Sequence, residues 1–127
     1  MEYSIKTRVL LDTHFNDSEF NVLMWDSTKP YMIEDIRSIF EKDPILSAYI
    51  DGTMSFEFYP HWRILLEFCF NCNDENEAEA ESFLRSCLED IRMPLADKGY
   101  SIGKVNCKVE GADLEWVDKM EDMIFGQ

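Results

Sequence analysis

The stretch Met54-Ser55-Phe56-Glu57-Phe58-Tyr59-Pro60-His61-Trp62-Arg63-Ile64-Leu65-Leu66-Glu67-Phe68-Cys69-Phe70 decides the fold class. Its side chains alternate with a period of two. Met54, Phe56 and Phe58 oppose Ser55, Glu57 and Tyr59, and after Pro60-His61 the residues Trp62, Ile64, Leu66, Phe68 and Phe70 oppose Arg63, Leu65, Glu67 and Cys69. That pattern is a β-hairpin with one aromatic face. A lone hairpin is marginal in water, so the face requires a helical layer over it.

Working outward, Tyr3, Ile5, Thr7, Val9 and Leu11 alternate with Ser4, Lys6, Arg8 and Leu10 as a half-buried strand. After the polar run Asp12 to Ser18, the alternation of Phe20, Val22 and Met24 with Asn21, Leu23 and Trp25 predicts a second strand, hairpinned to the first. Ser27, Thr28 and Pro30 then resemble helix-start signals, and Met32, Ile33, Ile36, Ile39 and Phe40 recur at helical spacing, so a helix is expected from about 30 to 42, stopped by Asp43-Pro44. Residues 45–50 fit neither period, and Asp51-Gly52 reads as a turn.

Beyond the hairpin, Ala80, Phe83, Leu84, Cys87, Leu88, Ile91 and Leu95 form one helical stripe, with a kink expected at Pro94 and a C-terminal cap at Gly99. In 100–109 the parity slips at Gly103, which predicts a bulged strand. Asp113 is placed to cap a last helix, with Leu114, Val117 and Ile124 on one side and Met120 beside them. The expectation is a single α+β domain over 1–127: a ferredoxin-like, split β-α-β antiparallel sheet with helices on one face, plus an extra N-terminal strand and a C-terminal helix.

Composition narrows the function. The chain of 127 residues carries 12 Lys and Arg against 26 Asp and Glu, a formal charge of -14, with 46% hydrophobic residues. That apolar share excludes a disordered chain, and the charge disfavours direct contact with nucleic acid or an anionic membrane. No 18-residue apolar run and no signal-peptide pattern precede the first strand, so a cytoplasmic protein with Cys69, Cys72, Cys87 and Cys107 as thiols is expected.

Catalytic constellations are missing. His14 and His61 fall in different loops, no phosphate-cradling or nucleophile-elbow motif occurs, and Cys87 lies on a buried stripe. Cys69-Phe70-Asn71-Cys72 is one knuckle without a second, too few ligands for a closed zinc site, and it does not open a helix as a redox motif would. Asn71-x-Asn73-x-Glu75 lacks the glycine and the final glutamate of a calcium loop. Neither a cofactor nor a metal is expected, and no catalytic residue is assigned.

What stands out is the distribution of acids. Residues 1–64 hold 11 acids and 6 bases, whereas residues 65–127 hold 15 and 6, for net charges of -5 and -9. Asp74, Glu75, Glu77, Glu79 and Glu81 open the second helix without a base among them, and Glu115, Asp118, Glu121 and Asp122 line the last one beside Trp116. Carboxylates at every second helical position advance about 3 Å, near the ~3.4 Å phosphate spacing of a DNA strand. These ten residues are the expected partner-binding surface of a non-catalytic inhibitor. Its partner is then a basic, nucleic-acid-binding protein, as for an immunity protein of a nuclease toxin or a phage DNA mimic of the anti-restriction or anti-CRISPR kind. The alternative is a small ferredoxin-like domain that binds a ligand or dimerises through the sheet face of Arg63, Leu65, Glu67 and Cys69, its acidity serving solubility.

Overall fold

A computed structural model describes residues 2–109, apart from the side chain of Phe20. The last helix expected from the sequence, with Asp113, Leu114, Glu115, Trp116, Val117, Asp118, Met120, Glu121, Asp122 and Ile124, lies outside the described residues.

The elements are β1 (Glu2–Asp12), α1 (Glu19–Lys42), α2 (Pro44–Tyr49), β2 (Ile50–Tyr59), β3 (Arg63–Asn73), α3 (Glu77–Asp90), α4 (Arg92–Asp97) and β4 (Ser101–Val109). The strands form one open antiparallel sheet in the order β2-β3-β1-β4. Ile5, Val9 and Leu11 of β1 and Ile64, Leu66, Phe68 and Phe70 of β3 make the centre of its inner face. Met32, Ile36 and Phe40 of α1, Leu46 of α2, Leu84 and Leu88 of α3 and Leu95 of α4 bury against them in the same cluster. The architecture is therefore α+β, with helices layered on an antiparallel sheet.

Residues 20–25 are not a strand. They begin α1, whose N-cap Ser18 accepts a hydrogen bond from the Asn21 backbone N–H at 3.3 Å. Ser27 and Thr28 do not cap a later helix either: both hydroxyls donate backwards to the Met24 carbonyl, at 3.0 and 2.9 Å, so α1 runs on through Pro30. The sheet thus has no extra N-terminal strand, and β1 is its first.

At the other end of α1, Asp43-Pro44 stops the helix as expected, and the Asp43 carboxylate caps α2 by accepting from the Ile45 and Leu46 N–H groups. Asp51-Gly52 is no hairpin turn but a break in the register within β2, where Gly52 takes a φ of 75°.

The expected single kinked helix is two helices. Pro94 cannot supply the N–H that would continue α3, and the chain resets at Ile91 (φ -101°, ψ 3°) before α4. Gly99 ends α4 in a left-handed turn at φ 94°: its N–H donates to Ala96 O and that of Tyr100 donates to Leu95 O, at 3.0 and 2.9 Å. Gly103 is the unpaired residue between Leu10↔Lys104 and Leu11↔Ile102, which accounts for the parity slip in β4.

Candidate functional site

Two ends of the sheet carry the features that distinguish this surface. At one end β1 begins and β3 finishes, since Glu2 pairs with Asn73 and Tyr3 with Cys72. β4 finishes there too, since Val109 pairs with Ile5. The chain then turns through Asp74 and Glu75 into α3.

Asn76 is the N-cap of α3, its side-chain oxygen accepting from the Glu79 N–H at 2.9 Å. The amide does the capping, so the carboxylates are not needed for it. Glu75, Glu77 and Glu79 are exposed, Asp74 and Glu81 half-buried. Glu77 and Glu79 in the first turn favour the helix dipole, while Glu75/Glu79 and Glu77/Glu81 repel at i,i+4. Arg85 pairs with Glu81 at 3.4 Å and donates to the Val105 carbonyl, whereas Glu89 pairs with Arg92 at 2.7 Å rather than with Arg85.

Of the expected binding residues, the structure thus groups Asp74, Glu75, Glu77, Glu79 and Glu81 around one helix start and adds Glu2 to the same end of the sheet. Glu115, Trp116, Asp118, Glu121 and Asp122 lie outside the described residues.

The opposite end holds an aromatic cluster that sequence periodicity did not reveal. Trp25 meets Phe15, Phe58 and Trp62 edge-on, with ring centroids 5.1, 5.5 and 5.1 Å apart. Lys29 lies over the Phe58 ring at 5.0 Å and pairs with Asp26 at 2.7 Å. Trp25 is therefore a packing residue and not a free anchor. Trp62 is in the β2–β3 turn rather than on the strand: His61 and Trp62 both have positive φ, 65° and 61°. Trp62 is held there by donation from its Nε1 to Asp17 at 2.7 Å and by the Thr13 hydroxyl, which donates to its carbonyl at 2.7 Å. Beside this cluster, Val22, Leu23 and Met24 of α1 are 53, 73 and 37% exposed. The unbroken run from Val22 to Trp25 is the signal that identifies the patch, because a helix cannot bury four successive side chains on one face.

The cysteines do not form a knuckle. β3 alternates, so exposed Cys69 is on the outer face and buried Cys72 on the inner one. Burial, reinforced by Asp74, pushes the Cys72 thiol up. Cys87 is pushed up to about 11 by burial and then by Asp43, Asp90 and Cys72. Cys107 reaches about 11 by burial, with Arg85 pulling the other way. Raised values oppose the thiolate that a nucleophile or metal ligand requires. Among the described residues no three His, Cys, Asp or Glu side chains gather as a metal site, and no helix is long and apolar enough to cross a membrane.

One further concavity, of about 490 Å³, lies between α1 and the irregular part of β2, lined by Arg37, Phe40, Ser47, Ile50, Thr53 and Met54 among others. No family model, curated protein or solved structure matches the chain.

Proposed function

We propose that this protein is a non-catalytic, acidic binding protein of the cytoplasm that occupies the nucleic-acid-binding surface of a basic protein partner. The candidate partners are a nuclease toxin, for which it would serve as immunity protein, and a defence nuclease, for which it would act as a DNA mimic. The observation that carries this reading is the helix start at Asn76, where an uncharged side chain does the capping and Glu75, Glu77 and Glu79 nevertheless stand in solvent. Carboxylates that a helix does not need for its cap serve long-range attraction to an opposite charge, which accelerates association and makes it salt-dependent. The ferredoxin-like, split β-α-β arrangement is part of the proposal, supported by the order β2-β3-β1-β4 with α1 and α3 as the crossovers.

A second reading, a small ligand-binding domain, is favoured by the groove beside Arg37, whose guanidinium stacks on Phe56 at 5.3 Å. The first reading is tested by binding the chain to a panel of basic nucleases in stepped salt, beside the variant Glu75→Gln/Glu77→Gln/Glu79→Gln/Glu81→Gln. Binding that weakens in salt and in the variant supports it.

A further inference from the structure

Arg37 leaves unused the partners that its own helix offers. Glu34 and Glu41 stand three and four positions away on α1, the spacings at which helical side chains meet. Among the described residues neither forms an ion pair with it. The guanidinium reaches across to β2 instead, where it lies over the Phe56 ring at 5.3 Å. Arg37 and Glu41 therefore stand at the concavity between α1 and β2 as two separate, exposed charges of opposite sign.

Between α1 and β2 this groove of about 490 Å³ has an apolar floor: Phe40 is buried, and Ile50 and Met54 are half-buried against the core. Its wall at β2 is polar main chain. Asp51 pairs with Cys69 and Ser55 with Glu67, so Gly52, Thr53 and Met54 stand against the single residue Phe68 and take no partner in the register. β2 is an edge strand, with no further strand beyond it among the described residues. The main-chain groups of 52–54 are thus not taken up by the ladder, and these three residues line the groove.

We propose that the groove binds a free α-amino acid with an apolar side chain, its carboxylate on Arg37, its ammonium on Glu41 and its side chain on Phe40, Ile50 and Met54. Such binding rests on the small-ligand reading and narrows it to one class. A planar guanidinium receives a carboxylate through two parallel hydrogen bonds, and the Phe56 ring beneath holds that plane in place. Charge then selects a zwitterion. The chain's -14 repels a simple anion, and a carboxylate alone would meet Glu41 as a like charge. A ligand with only an ammonium leaves Arg37 without a counter-charge. An amino acid answers both charges and is neutral overall, and the main chain of 52–54 offers it donors and acceptors together. The volume lies within the roughly 300–1,000 Å³ of small-molecule sites.

NMR titration of the isotope-labelled full chain tests this without any nuclease. The probes are L-phenylalanine, hydrocinnamate, which lacks the ammonium, and phenethylamine, which lacks the carboxylate. L-phenylalanine is expected to move the amide resonances of Gly52, Thr53 and Met54 saturably and to leave those of Glu77 and Glu79 in place. Each one-charge analogue is expected to bind at least about tenfold more weakly, the loss of one charge-assisted pair. Arg37→Met and Glu41→Gln, both at exposed positions, are expected to weaken L-phenylalanine by a similar factor, and Arg37→Met not to weaken phenethylamine. Equal binding of either analogue, or groove shifts from uncharged fragments alone, overturns the amino-acid proposal and leaves the small-ligand reading standing. Absence of groove shifts with L-phenylalanine and throughout a mixed fragment library removes both.

Discussion

His61 and Trp62 sit side by side in the left-handed region, with φ of 65° and 61°. A non-glycine residue there costs roughly 1–2 kcal/mol. The two differ in what offsets that cost. Trp62 packs on Trp25 and Phe15 and donates to Asp17, whereas His61 is exposed. His61→Gly is therefore expected to stabilise the fold by up to about 1 kcal/mol, the relief being partly cancelled by the greater chain entropy of glycine. Trp62→Gly gives the same backbone relief but loses the ring, and is expected to destabilise by about 2–4 kcal/mol. Urea unfolding of the two variants checks the pair, and equal effects of one sign would contradict this account of the turn. Sequence alternation placed Trp62 on the strand because a period of two cannot register a residue that leaves the ladder one position early.

Among the elements, what sequence made legible is what a local rule controls. The β2–β3 hairpin, the stripe of α3, the Asp43-Pro44 stop, the Gly99 cap and the Gly103 bulge each follow from periodicity or from one residue's backbone chemistry. Residues 20–25 did not, because Phe20, Val22 and Met24 alternate by accident in a helix that leaves Val22, Leu23 and Met24 in solvent. Ser27 and Thr28 misled for a related reason: a hydroxyl reads as a cap in sequence, and only three-dimensional geometry shows it bonding back to the Met24 carbonyl. For the candidate site, the acids before and within the first turns of α3 were legible as a cluster, but the division of labour between them and Asn76 was not. Asn76→Ala is expected to cost about 1 kcal/mol by thermal unfolding, as removal of a working N-cap. Glu77→Gln should change stability by only a few tenths, since its dipole benefit and its repulsion from Glu81 oppose each other. A larger cost for Glu77→Gln than for Asn76→Ala would return the acids to a structural role.

Across the whole molecule, buried acids of the weak kind set an alkaline limit. Cys87 and Cys107 have their thiols pushed up to about 11 and Tyr100 its phenol to about 12, each chiefly by burial. Each group is held neutral by the fold, so its contribution is whole below its unfolded value, near 9 for the thiols and 10 for the phenol, and is lost as pH rises through the folded value. Thermal stability is expected to fall between about pH 9 and 12, and Cys87→Ala should make that decline shallower. A midpoint that stays flat over this range would contradict the burial of these groups.

The charge of -14 is uneven in space as in sequence: Lys6, Arg8, Lys104 and Lys108 share the outer sheet face, where Glu67 pairs with Lys6 and Arg8, and exposed carboxylates collect where α3 begins. The measurement that tests the central claim most directly is the dissociation constant for a basic nuclease across a salt series, for the wild-type chain and for Glu75→Gln/Glu77→Gln/Glu79→Gln/Glu81→Gln. The prediction is weaker binding with rising salt, with the variant binding at least tenfold more weakly at low salt and with a shallower slope. An identical affinity and an identical salt slope in the variant would contradict it.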